Sequence, residues 1–327
     1  MQMTSDKPFI LNSSRLILEI APPGQAYHGA RFDWTGFITQ VTLDGVHTFC
    51  GQESLQPERQ GVVGLGLCNE FGNEKPVGYN DARPGETFPK FGIGLLRRPD
   101  ASDYSYMRSY ELVQPFPVHL DSQPDRLSIV VEPVDCRGYA ARLSRTILVK
   151  DNWLEIAYQL ENSGAQPIDT HEYTHNFVCI DQQRPGPDYV IRLACPVELQ
   201  NITPALRKLL PGRLSKIAPV FLVDLLINSM LKKGLKPLTI QGQEIGFRQA
   251  PEAMLYLRAA RFGFQEGPQW EIRLRSSGAG LREYDDFAPS RVAVWGDKHV
   301  VSAEAFIDLQ LQPGESKAWS RRYEFFA

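Results

Sequence analysis

A chain of 327 residues with 43% hydrophobic and 22% charged side chains has the composition of an ordinary folded protein, large enough for a substantial core in one domain or two. A net charge of −3 gives no whole-chain attraction to nucleic acid, so a polyanion is not the expected partner. Five scattered cysteines (Cys50, Cys68, Cys136, Cys179, Cys195), odd in number and without a C-x-x-C pair, argue against a disulfide framework and a thiolate zinc site and read as reduced thiols.

The N-terminus has neither a basic start nor a seven-residue apolar run, so no secretory signal is expected and a cytoplasmic location follows. Apolar residues alternate over 15–20, Pro22-Pro23-Gly24 breaks the run, and 32–42, Asp44-Gly45 and 46–49 read as strand, tight turn, strand. The glycines and prolines of 51–99 predict a long excursion of loops and short strands, the kind of segment that carries function. Strand signals resume over 104–113, 126–134, 140–149 and 153–161, separated by turn formers such as Asp151-Asn152 and Asn162-Ser163-Gly164. The stretch 169–181 is rich in Tyr, Thr, Phe, Val and Ile; as a strand it puts His171, Tyr173, His175, Phe177 and Cys179 on one face.

Further strands are predicted over 253–260, 269–275, 291–295, 300–311 and 317–325, with Pro313-Gly314-Glu315 as the last hairpin turn. Strand after strand without alternating helices specifies an all-β antiparallel sandwich, not a parallel α/β sheet. One segment, 201–237, has helix-forming composition and seven basic residues against the single acid Asp224. It reads as a helical insertion, either a cap packed on the sandwich or a surface that docks a membrane or partner; its apolar run is too short to span a bilayer, and no transmembrane segment is expected.

Two of the six histidines, His171 and His175, share a strand face. Taken singly, each is most simply a packed sheet residue. Glu304 lies in a hydrophobic strand otherwise short of charge; burial would raise its pKa and suit it to acid–base work, whereas exposure would leave an ordinary carboxylate. These candidates stand where the galactose mutarotase-like superfamily, the aldose 1-epimerases and their relatives, keeps its acid and base. Asn162-Ser163-Gly164, Pro167 and His175 resemble that superfamily's turn, proline and catalytic histidine. Glu304, Pro313-Gly314-Glu315 and the aromatic, basic run 319–325 resemble its C-terminal glutamate strand, turn and final strand.

The resemblance implies one large β-sandwich domain over 1–327 with the insertion inside it, and a sugar mutarotase that needs no metal and no organic cofactor. Glu304 is implied as base and His175 as acid, which requires a carboxylate and an imidazolium at working pH, a pairing that mutual attraction would favour. The family's second histidine in a His-Gly-Gly stretch and its Asn-Arg-Ile motif are missing from the chain. This resembles a divergent branch, whose ligand is a small-molecule sugar or sugar phosphate. Substrate-binding candidates are His171, Lys90, Arg97, and the pair Arg31 and Asp33, which share a strand face if 29–34 is extended. The clustered carboxylates of Glu283-Tyr284-Asp285-Asp286 read as solvated loop acids, and Trp34, Trp270, Trp295 and Tyr173, whose faces could stack on a sugar, as core. Two other functions remain open from the residues: a non-catalytic carbohydrate-binding sandwich, and an interaction protein that docks a partner through its insertion.

Overall fold

A computed structural model describes residues 7–197, 229, 235–258 and 266–327. Among these residues the chain is built almost wholly of antiparallel strands in three sheets. The nine-stranded sheet runs in the order Phe9–Asn12, Leu16–Ala21, Phe37–Leu43, Leu67–Phe71, Ile168–Asn176, Val300–Leu311, Arg291–Asp297 and Leu255–Arg258, with His47–Thr48 added beside Phe37–Leu43. The ten-stranded sheet runs Leu238–Gln241, Glu244–Phe247, Tyr189–Leu193, Trp270–Leu274, Gly280–Asp285, Ser316–Phe326, Trp153–Asn162, Ala141–Lys150, Arg126–Val131 and Val118–Ser122. A small three-stranded sheet joins Thr87–Lys90, Gly94–Arg97 and Leu112–Pro115.

The alternation seen in the sequence is what builds the sandwich. In Ala141–Lys150 every second residue is buried, and in Trp153–Asn162 Leu154, Ile156, Tyr158 and Leu160 turn to the same core. Each fully buried aliphatic side chain contributes about 1.5–3 kcal/mol of transfer free energy, and the core continues from Leu18 across both large sheets to Phe325. The two central strands of the nine-stranded sheet are buried on both faces for most of their length. Loop 27–35 covers their outer side, and the small sheet reaches the adjoining strand through the Lys90 ammonium, which donates to the Phe71 carbonyl (2.6 Å). Gly92 (φ +76°) lets that sheet's hairpin close onto Asp33, where a Cβ would lie 2.0 Å from the carboxyl carbon.

Several expectations move. The strand predicted over 32–42 begins at Phe37, because the backbone N–H groups of Asp33 and Trp34 donate instead to Asn69 and Gly92. Residues 104–110 form no strand; Tyr104 and Tyr110 pack with Tyr79 and Phe88 in a separate aromatic cluster. The strand predicted over 169–181 stops at Asn176. Glu283 and Asp285 are not solvated loop acids: they lie on the strand Gly280–Asp285, and their side chains are sealed in the core against Arg321. The insertion expected over 201–237 falls, apart from Ser229 and 235–237, outside the described residues. No helix among the described residues is long and apolar enough to cross a membrane.

Candidate active site

The strands Ile168–Asn176 and Val300–Leu311 pair in register down to Tyr173 opposite Phe306, and the same register resumes at Val178 opposite Val301. Between those points the ladder opens, and this is where His175 and Glu304 stand opposite each other on the outer face. Side chains fill the opening. The Asn176 backbone N–H donates to Ser302 Oγ (3.0 Å), the Asn176 amide donates to the Ala303 carbonyl (2.7 Å), and Ser302 Oγ donates to Glu304 Oε1 (3.1 Å). That same oxygen lies 3.2 Å from His175 Nε2. Because Ser302 Oγ already accepts from Asn176, its one proton is free to be spent on Glu304.

Both members of the pair are 3% exposed. The His175 ring stacks on Phe177 (3.8 Å between centroids) and meets the edges of Trp295 and Phe32. Burial therefore dominates its titration, with the nearby Arg31 charge adding to it, and holds the imidazolium pKa well below the ordinary value. Burial also pushes the Glu304 carboxyl up to about 8, against the opposing pull of Arg31 and the Ser302 hydroxyl. The unliganded pair is thus a neutral imidazole facing a protonated carboxyl at neutral pH. The carboxylate–imidazolium pair expected from mutual attraction is not the resting state, because removing two charges from water costs more than their attraction returns. His175 Nδ1 is buried with no hydrogen-bond partner.

Arg31 is the cation whose charge acts on both members of the pair. Its Nε donates to Glu70 Oε2 (2.8 Å), Nη2 to the Tyr173 hydroxyl (3.2 Å) and Nη1 to Glu53 Oε1 (3.3 Å), while Phe32 and Tyr106 sandwich the guanidinium at 4.4 and 4.5 Å. Arg31 also lines a cleft of about 250 Å³ with Tyr27, Glu53, Arg59, Tyr106 and Met107. Neither His175 nor Glu304 lines that cleft; Arg31 does, and its charge is felt at both of them.

The other sequence candidates separate. Asp33 does not share a face with Arg31: it turns inward to a buried ion pair with Arg145 (2.7 Å), because 29–35 is a run of turns and not a strand. Lys90 is buried and held by the Phe71 carbonyl and the Tyr104 hydroxyl (3.2 Å); burial lowers its pKa to about 8. Arg97 lies at the surface of the small sheet, paired with Glu111 (2.8 Å). His171 does share the outer face with His175, but its Nε2 bonds Asn73, and burial followed by the Arg291 charge lowers its pKa to about 3.

Sequence reasoning placed Tyr173 on the face of His175 but passed over Ser302, Glu70, Tyr106 and Arg291. Ser302 was accessible to it, since alternation alone sets it on the face of Glu304. Glu70, Tyr106 and Arg291 come from distant segments and carried no local signal.

No family model matches the chain, and no curated protein does. Solved structures do. A putative aldose 1-epimerase from Escherichia coli K12 is similar with a TM-score of 0.54 at 12% identity, covering 98% of this chain and 99% of that one. A GalM/aldose epimerase homologue from C. elegans gives 0.55 at 10% identity over 98% and 99%. A galactose mutarotase-like protein from Clostridium acetobutylicum gives 0.55 at 10% identity over 97% and 94%. With its antiparallel sheets in this order, the chain has the galactose mutarotase-like β-sandwich fold.

Proposed function

We propose that the chain is a mutarotase, an isomerase that interconverts the anomers of a hexose or related sugar through ring opening. The observation that carries this reading is the approach of His175 Nε2 to Glu304 Oε1, 3.2 Å apart with both side chains buried. In ring opening Glu304 takes the proton of the C1 hydroxyl, the O–H electron pair becomes the carbonyl, the C1–O5 pair passes to the ring oxygen, and His175 protonates that oxygen. Rotation about C1–C2 and the reverse steps give the other anomer. Opening leaves neutral His175 and protonated Glu304, which is the resting state of the unliganded pair. The resting protein is therefore charged for ring closure, and transfer of one proton across the pair prepares it for opening; no change in net charge is needed.

Arg31 is the proposed hydroxyl-binding residue at the cleft side, and His171 a neutral neighbour. Domain organisation is proposed as one unit over 1–327, with 201–237 as a cap within it. Four buried, reduced thiols, Cys50, Cys68, Cys136 and Cys179, support a cytoplasmic setting. A second reading, a non-catalytic sugar-binding protein, is favoured by one observation: the pair is closed on itself and neither side chain reaches the cleft. Anomeric exchange measured by proton NMR over a panel of free and phosphorylated sugars separates the two. Accelerated exchange that His175→Ala and Glu304→Gln abolish is the expected result. Binding without faster exchange would make the protein a binding module, and no sugar binding would leave the partner-docking reading.

A further inference from the structure

Arg291 carries an observation that the acid–base pair does not use. In the ladder Arg291 is opposite Phe306 and Ala293 is opposite Glu304, so Arg291 and Glu304 share the outer face one diagonal apart, about 7–8 Å between backbone positions. The Arg291 guanidinium lies flat on the Phe306 ring at 3.7 Å, and its Nη1 donates to Glu74 Oε2 (2.8 Å). Its Nε and Nη2, which form the other edge of the planar fork, are both buried without a hydrogen-bond partner. On the next strand Arg258 Nη2 takes the second oxygen of Glu74 (2.8 Å), so among the described residues one carboxylate is divided between two guanidiniums. Burial and then the Arg291 charge keep the His171 ring neutral. Lys75 is already matched by Asp169 (3.0 Å).

An uncompensated guanidinium edge beside a sugar site calls for an oxyanion with two parallel acceptors. We propose that the substrate is a sugar acid, whose carboxylate is taken by the Nε and Nη2 edge of Arg291 while its anomeric carbon lies against Glu304 and His175. This rests on the mutarotase reading of the pair. Ala293, between the two anchor points, contributes only a methyl group and is itself buried beside Tyr173 and Phe306. A carboxylate borne directly on the ring suits a separation of one diagonal step; a phosphate ester sets its anion further out by an oxygen and a phosphorus. Half-buried Tyr256 packs over Tyr173, Ala293 and Phe306, and is the side chain that an entering ring would displace.

The test uses the full chain with galacturonate and glucuronate, their neutral parents galactose and glucose, and glucose 6-phosphate. Anomeric exchange is followed by NMR and binding by calorimetry. Each uronate is expected to exceed its neutral parent in kcat/KM by about 10- to 100-fold, the worth of a charge-assisted hydrogen bond. Arg291→Gln and Arg291→Lys are both expected to collapse that ratio, the lysine because it keeps the charge but loses the fork. Should the glutamine variant fail to fold in a thermal melt, the lysine variant carries the test. Neutral sugars turned over as well as uronates, a preference that survives both substitutions, or a preference for glucose 6-phosphate would each overturn the carboxylate assignment. Uronate binding that is lost in Arg291→Lys, with no exchange of any sugar, would sink the mutarotase reading and leave the anion site standing.

Discussion

The strand Ile168–Asn176 has two faces, and each holds buried charge of a different kind. Toward the core Glu172 accepts from Arg321 Nη2 (2.8 Å) across the sandwich, and Arg321 Nη1 also reaches Glu283 (3.1 Å) and Asp285 (3.4 Å), all fully buried. Toward the outside His175 faces Glu304. A guanidinium does not give up its proton, so the inner cluster is a fixed electrostatic fastening between the two sheets. An imidazole does, so the outer pair holds a proton that can move. On the proposed function, equal burial yields structure on one face and chemistry on the other, and the cation decides which.

The sharpest way to break this comparison is to exchange the roles. Glu304→Gln is expected to lower anomeric exchange by about 10²–10⁴-fold, the usual worth of a positioned acid or base. It should not cost stability. The folded carboxyl titrates near 8 and the unfolded one near 4.3, so the folded state binds the proton more tightly and the stability this gives is lost as pH rises from about 4.3 to about 8. Glutamine cannot ionise, and its thermal midpoint should gain on the wild type over that interval; a midpoint that falls instead would make Glu304 a structural residue.

Arg321→Met is expected to do the reverse, removing about 3–5 kcal/mol of stability in urea unfolding by stranding Glu172, Glu283 and Asp285 without their cation. A neutral result there would deny the inner cluster its fastening role.

A smaller effect lies in the pH profile. Loss of the pair's single proton should make kcat/KM fall by about tenfold per pH unit above pH 8, and a flat profile to pH 9.5 would contradict the shared-proton mechanism. The smallest is Ser302→Ala. Its hydroxyl favours the ionised carboxylate, so removing it should raise the Glu304 pKa and move that alkaline limb upward by on the order of one unit, with the melting temperature little changed. Carboxyl ¹³C NMR of Glu304 would read the same shift without any substrate. An unmoved limb and carboxyl signal would reduce Ser302 to packing.

The sandwich was legible where the strands are long. Ala141–Lys150 and Trp153–Asn162 were bounded within a residue or so, because each alternates against one core, and Val300–Leu311 was bounded correctly at both ends although it is buried on both faces for most of its length, because its run is long and apolar. Phe9–Asn12, Tyr189–Leu193 and Gly280–Asp285 went unread: each is short, and their pairing partners rather than their own pattern hold them extended. Asp33 and Arg31 were read as neighbours on one face because nothing local announces that the backbone of 33 and 34 bonds to Asn69 and Gly92.

By itself the sequence determined an all-β sandwich and brought His171, His175 and Glu304 into view, since alternation and turn chemistry are local properties of the chain; the family resemblance is what singled out His175 and Glu304 as a pair. Only the tertiary structure decided what surrounds them. The opened ladder that seats the pair, the desolvation that leaves it neutral, the diversion of Asp33, Lys90 and Arg97 to other partners, and the unfilled edge of Arg291 all depend on groups far apart in sequence. Burial and Coulomb energies are set by those distant neighbours, so no window of sequence contains them.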